Sequence, residues 1–164
     1  MITALRYLVL AVLAAVPLRA QLLWPNTMAG MSVEQVQREV PEARAPSGDG
    51  AVLPSGRGVE LLAVDAYEIA GRNFHVQFFF REQRLVRVTL TDSGVISVKE
   101  FERLRDLLRG QYGQENSTRS SEFIEVTWKA VQTTIKLEWI PGHRDQATLA
   151  ISYDAPIPKQ TPRL

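Results

Sequence analysis

The stretch "SVEQVQR" (residues 32–38) returns 65 residues later as "SVKEFER" (residues 97–103). In both copies a serine stands before an amphipathic run, and Gln35 or Glu100 follows three positions later. This is the capping-box pattern, in which side chains satisfy free backbone N–H groups at the start of a helix. The sequence therefore predicts two helices with the same opening, one in each half of the chain.

The two predicted helices differ in length. The second has apolar residues at helical spacing and charged residues elsewhere, so one stripe is expected to pack in a core. That stripe consists of Val98, Phe101, Leu104, Leu107 and Leu108. It should end between Gly110 and Gly113, because glycine suits the left-handed residue that closes a helix. The first helix is shorter because Pro41 stops it.

Alternating apolar and polar residues follow each predicted helix and indicate three strands in each half. The strands are residues 59–69, 74–80 and 84–90, then 122–129, 133–140 and 148–153. Short links join them, so each set is expected to be an antiparallel meander. The sequence thus predicts an α+β fold of two helix-plus-three-strand repeats, at about 30–90 and 95–154, in one domain with both helices on one sheet face.

The same alternation assigns the strand residues to two faces. Residues such as Phe78, Val86 and Trp128 are expected to point toward the helices. The strand residues between these point to the other face of the sheet, where apolar side chains lie among charged ones. This composition is typical of a protein-binding surface. The candidate binding residues on this open face are Gln77, Phe79, Leu85, Arg87, Phe123, Lys136 and Glu138. A register error of one residue would exchange the two faces.

Residues 1–20 have the layout of a secretory signal peptide, with an early Arg6, an apolar run and a small residue, Ala20, before Gln21. Cleavage is expected after Ala20, with Ala15 as the alternative. The apolar run is shorter than the roughly 20 residues that span a bilayer, so we expect no stable membrane insertion after cleavage. The pattern predicts a protein of the periplasm or the extracellular space.

Charge and composition exclude some functions for the mature chain. Loss of the two arginines in residues 1–20 would leave 17 basic against 18 acidic residues, which gives no electrostatic reason to expect a nucleic-acid partner. The chain has no cysteine, so packing alone must hold it together. Residues 155–164 contain three prolines and are expected to form a disordered tail.

Two stretches carry a family resemblance. "AGMSVEQVQREVPEA" (residues 29–43) and "FFFREQRLVRVTL" (residues 78–90) resemble the opening helix and hairpin of the small outer-membrane lipoproteins of the bacterial barrel-assembly machinery. The doubled arrangement is similar to the β-lactamase-inhibitor-protein fold. The resemblance implies a non-enzymatic module outside the cytoplasm that binds another protein, in the inhibitor case through its open sheet face. The lipid-bearing cysteine of the lipoproteins is missing.

Candidate catalytic and metal-ligating residues are few. His75 and His143 have no partner at metal-ligand spacing, and Asp65 and Glu68 are interpreted as solvated carboxylates at a strand end. No nucleophile motif is present, so the sequence predicts no enzyme, cofactor or metal site. The leading hypothesis is a protein-binding module, with inhibitor or immunity activity as one form. The alternative is an enzyme or small-ligand carrier that uses a groove beneath the loop of residues 45–58.

Overall fold

The computed structural model describes residues 22–120, 122–144 and 146–156, and its fold class is α+β. The predictions for residues 1–20 and for most of the tail, 157–164, lie outside the described residues. The helices are α1 (Val33–Glu39) and α2 (Val98–Tyr112). The strands are β1 (Leu22–Trp24), β2 (Thr27–Met28), β3 (Val59–Ile69), β4 (Arg72–Arg81), β5 (Arg84–Val95), β6 (Ser117–Ser120), β7 (Ile124–Ala130), β8 (Thr133–Pro141) and β9 (Gln146–Asp154).

Both helices begin as their sequence pattern predicts. At α1 the backbone N–H of Gln35 donates to the Ser32 hydroxyl (3.3 Å), and the Ser32 N–H donates to the Gln35 side-chain oxygen (2.8 Å). At α2 the Ser97 N–H donates to the Glu100 carboxylate (2.7 Å). The second helix ends before Gly113, whose φ of 83° is left-handed. The predicted starts and ends of both helices are therefore confirmed.

Seven strands form one antiparallel sheet in the order β3-β4-β5-β9-β8-β7-β6. The pairing of β5 with β9 joins the strands that follow α1 to those that follow α2. The edge strand β6 and the separate hairpin of β1 and β2 are absent from the sequence prediction. The β6 sequence "STRS" has no apolar alternation, so pattern reasoning had no signal for it.

One hydrophobic cluster contains buried residues of both helices and of the sheet. Val36 comes from α1, and α2 contributes Phe101, Leu104 and Leu108. Trp24 of β1 closes one side, with its ring centroid 4.9 Å from that of Tyr67 and 5.6 Å from that of Phe78. Two members of the predicted α2 stripe, Val98 and Leu107, are exposed instead. The buried stripe is therefore narrower than the sequence pattern suggested.

The face assigned to Leu85 was wrong, and a β-bulge is the reason. Phe79 of β4 lies opposite Arg87, whereas Phe80 lies opposite Leu85, so Val86 is an extra residue in β5. An extra residue reverses the alternation of side chains along its strand. Leu85 is therefore only 1% exposed and belongs to the core, whereas Val86, which was expected to be inward, is half-buried outside it.

Phe79 keeps the outward register, yet it is only 4% exposed. The loop before β3 covers it. A methyl group placed on Gly58 would lie 3.4 Å from the Phe79 Cβ and 3.2 Å from side-chain carbons of Leu53 and Val86, so these four residues are close neighbours. The loop is closed on itself by the Leu53 N–H, which donates to the Gly58 carbonyl (2.9 Å). The expected exposure of Phe79 was therefore also wrong.

Candidate functional site

The outer face of the sheet carries rows of polar side chains that run across five strands. Strand register sets these rows, because outward residues of neighbouring strands lie opposite each other. One row consists of Arg87, Asp154 and Thr134, beside the covered Phe79. The next consists of Gln77, Thr89, Ser152, Lys136 and Thr127, and the third of His75, Thr91, Ala150, Glu138 and Glu125. The predicted face mixed apolar with charged side chains; with Leu85 turned inward and Phe79 covered, its exposed side chains are mainly polar and charged.

A two-point ion pair holds Arg87 at the centre of this face. Its Nε lies 2.5 Å from Oδ1 of Asp154, and its Nη2 lies 2.9 Å from Oδ2. The two residues face each other across β5 and β9. A fork of this kind fixes the plane of the guanidinium group. Arg87 is therefore presented in one orientation at the junction of the two halves of the sheet.

Lys136, Glu125 and Glu138 form a second charged group on the open face. The Lys136 Nζ lies 3.4 Å from the Glu125 carboxylate, and Glu125 lies directly opposite Glu138 in the pairing of β7 with β8. Burial, together with the charge of Glu125, raises the pKa of Glu138. Like charges that face each other across two strands are unfavourable. Glu138 therefore lies between a like charge, Glu125, and a compensating charge, Lys136.

A groove of about 400 Å³ lies where the open face meets the loop before β3. Within the part of the chain that the structure describes, four basic side chains and one carboxylate line it. We call it the basic groove; its residues are Leu53, Arg57, Arg81, Val86, Arg87, Thr134, Lys136, Asp154, Ala155 and Pro156. Loop, β4, β5 and β8 each supply one of the four cations. The groove therefore exists only in the folded chain.

A second cavity of about 340 Å³ lies beneath the start of the same loop and contains converging titratable groups. Glu60 is 5% exposed, and its Oε2 accepts hydrogen bonds from the Ala51 N–H (2.9 Å) and from Gln77 (3.0 Å). The Nε2 of His75 lies 3.9 Å from Glu60 Oε1, and its Nδ1 lies 3.9 Å from Asp65 Oδ1. Both distances exceed a hydrogen bond.

The structure brings four of the seven predicted site residues together on the open face. These are Gln77, Arg87, Lys136 and Glu138, all half-buried. Leu85 and Phe79 leave the candidate surface, and Phe123 precedes β7 and is half-buried. Sequence reasoning missed Arg57, Arg81 and Asp154, because they come together only when β5 pairs with β9 and the loop folds over the sheet. A cluster of three arginines within residues 81–87 was the available signal.

The chain was compared with models of known protein families, with curated proteins and with solved structures, and no comparison finds a match. Among residues 22–120, 122–144 and 146–156, no helix is long and apolar enough to cross a membrane. Within the same described ranges, no group of three or more His, Cys, Asp or Glu side chains is arranged to hold a metal ion.

Proposed function

We propose that this chain is an exported, non-enzymatic protein-binding module that engages its partner through the open sheet face. We further propose that α1 with β3, β4 and β5, and α2 with β7, β8 and β9, are two copies of one structural repeat with both helices on the same sheet face. The observation that carries the functional proposal is the group of partly buried charges on the open face, where Glu138 lies opposite Glu125 and Lys136 lies near Glu125.

Burial of a carboxylate beside a like charge costs free energy, which a basic group of a partner would recover. Next to it, the Arg87 fork is already oriented by Asp154. Groups that are fixed before association lose less conformational entropy on binding. Partly buried and oriented charges on the open face therefore favour a role in recognition over a purely structural one.

The proposal of export rests on the sequence of residues 1–20. If they are a signal peptide, the mature protein should begin at Gln21, or at Val16 if the alternative site is used. The intact mass of protein purified from its source decides between these forms. Recovery of the full-length species alone would contradict export with cleavage.

Affinity capture with a charge-matched pair of variants tests the binding face. Lys136→Ala with Glu138→Ala removes one charge of each sign from the open face. Glu39→Ala with Lys99→Ala does the same on exposed positions at the two helices. We expect the first variant to capture at least about tenfold less of a stoichiometric partner than wild type, and the second to match wild type. Equal capture by both variants would move the site elsewhere.

The cavity beneath the loop supports a second candidate, an enzyme or small-ligand carrier. Glu60, Asp65 and His75 converge there, and convergence of titratable groups in a pocket is a mark of such sites. Native mass spectrometry of purified protein would test it, since a carrier should retain a small molecule that His75→Ala loses.

An inhibitor or immunity role remains one form of the leading proposal and would show as a stoichiometric complex with an enzyme or toxin.

A further inference from the structure

The basic groove concentrates positive charge in a chain that is almost neutral. The whole sequence has 19 basic and 18 acidic residues, yet the described residues that line this groove include four basic side chains and one acidic side chain. A general excess of basic residues therefore does not explain the groove. The loop, β4, β5 and β8 have to come together to build it.

Two of the four cations are already paired, and two are not. Arg87 binds Asp154, and Lys136 lies near Glu125. Arg81 and Arg57 are exposed and form no ion pair among the residues that the structure describes. The Arg57 Nε donates to the Pro54 carbonyl (3.3 Å), which holds its side chain without neutralising it. Among the described residues, the groove thus has two guanidinium groups without a carboxylate partner, those of Arg57 and Arg81, beside two cations that are held by ion pairs.

We propose that the basic groove binds the carboxylate side chains of an extended acidic segment of the partner protein. This inference rests on the proposed function, because the groove is one end of the open face. A guanidinium group matches a carboxylate in a planar, two-point contact, and two free groups can hold two carboxylates. Leu53 and Val86 supply an apolar wall for the aliphatic part of a glutamate side chain.

The size of the groove favours an extended segment over a helix. Its volume of about 400 Å³ lies at the lower end of the range for ligand pockets. A helix with its side chains is about 10–12 Å across and would rest on the rim instead of entering. An extended chain presents alternate side chains to one side, so two acidic residues at i and i+2 would both reach into the groove.

The surrounding charges oppose a nucleic acid as the occupant. Asp154 lies in the lining, and Glu125 and Glu138 lie on the adjoining part of the face. A phosphate chain that followed the sheet from the groove would meet these carboxylates. Among the described residues, the lining has no aromatic side chain on which single-stranded bases could stack. A protein segment avoids this conflict, because basic residues that follow its acidic ones would meet Glu138.

Fluorescence anisotropy with a labelled ten-residue polyglutamate peptide tests the groove directly. The test variant is Arg57→Ala with Arg81→Ala, and the control is Arg38→Ala with Arg103→Ala, which removes equal charge from exposed positions on the two helices. We expect at least about tenfold weaker peptide binding by the test variant and wild-type binding by the control. Equal weakening in both would show unspecific charge attraction and overturn the proposal, as would no binding by wild type. Thermal melting should be unchanged in both variants.

Two more measurements separate the alternatives. Tighter binding of an oligothymidylate or of phosphatidylglycerol vesicles than of the peptide would overturn an acidic protein segment as the ligand. Partner capture distinguishes this inference from the proposed function. A partner that is captured equally by wild type and by the Arg57 and Arg81 variant would leave the binding module intact and refute the groove. If the Arg57 and Arg81 variant fails to capture the partner while wild type and the Arg38 and Arg103 control capture it, the result supports both the binding module and the groove.

Discussion

Val86 determines which side of the sheet its neighbour Leu85 faces. As the extra residue of the bulge, it moves Leu85 into the core and takes the outer position itself. Its side chain then lies near Leu53 and Gly58 of the loop, so the bulge also helps to seat that loop. One inserted residue thus removes an apolar side chain from the open face and fixes one wall of the basic groove.

Truncation of these two neighbours tests the bulge. Leu85→Ala should lower the free energy of unfolding by about 2–5 kcal/mol, because it empties a fully buried site. Val86→Ala should cost only about 1 kcal/mol, because that side chain is half-buried. Urea titration of both variants measures the difference. If Val86→Ala cost more stability than Leu85→Ala, the strand would have no bulge at this point and Leu85 would lie on the surface.

The ion pair of Arg109 and Glu115 should give stability a specific pH dependence. The Arg109 Nε lies 2.6 Å from the Glu115 carboxylate and lowers its pKa from the ordinary 4.5 to about 2. A lowered pKa contributes stability that is complete above pH 4.5 and is lost as the pH falls toward 2. Glu115→Gln should therefore be less stable than wild type at pH 7, and the gap should close in acid.

Unfolding titrations between pH 2 and pH 7 measure this gap. Asp106→Asn is the control, because it also removes a carboxylate near Arg109 but from an exposed position 3.4 Å away. We expect Asp106→Asn to have a small effect at every pH. A gap between wild type and Glu115→Gln that stayed constant with pH would show that the ion pair is not its cause.

At the scale of elements, the loop between α1 and β3 acts as a cover for one sheet edge. Arg44 pairs with Ala63, and Val52 pairs with Val59, so the loop runs beside β3, an edge strand of the sheet. Glu60 fastens it through the Ala51 N–H. An exposed strand edge is a site of unwanted association, and a paired loop blocks it. The same cover buries Phe79 and builds the basic groove.

Gly50 and Gly48 provide a matched test of this cover. Gly50 has a φ of 72°, and a methyl group there would lie 2.4 Å from the Glu60 carbonyl oxygen, whereas a methyl group at Gly48 meets nothing within 4 Å. Gly50→Ala should destabilise the fold by more than about 1 kcal/mol, and Gly48→Ala should be nearly neutral. Thermal melts and limited proteolysis of the loop measure both. Equal resistance to protease in the two variants would mean that the loop is not held against β3.

At the scale of the whole molecule, the two halves share one core. Leu90 of β5 lies opposite Ile151 of β9, and both are buried in the same cluster as Phe101 of α2. Each half alone would expose the paired edge of β5 or β9 and the core residues that pack against the other half. Neither half is therefore expected to be stable alone.

Separate expression of residues 21–95 and 96–164 tests this dependence. Each fragment should lack dispersed NMR signals, because the β5 and β9 edges and half of the core face solvent. A mixture of the two should regain part of the native spectrum, since the pairing of β5 with β9 is the natural junction. A dispersed spectrum from either fragment alone would show an independent domain and contradict a shared core.

The sequence predicted the helix starts, because Gln35 and Glu100 act on backbone groups only three residues away. It also predicted six of the sheet strands, because alternation along a strand is a local property. It failed at Leu85, where one extra residue reverses that alternation, and at β6, which has no apolar pattern. Of the predicted site residues, Gln77, Arg87, Lys136 and Glu138 lie together on the open face, because each keeps the outward register that the sequence pattern assigned to it.

By itself, then, the sequence determined where the two helices begin, the approximate positions of six strands and which of these strands neighbour each other along the chain, since caps, turns and periodicity act over a few residues. Only the tertiary structure decided that Phe79 is covered and that Arg57 meets Arg81 at one groove. These contacts join residues distant in sequence. They depend on strand register and on how the loop packs over the sheet, both of which are set by burial in the folded molecule and not by local preference.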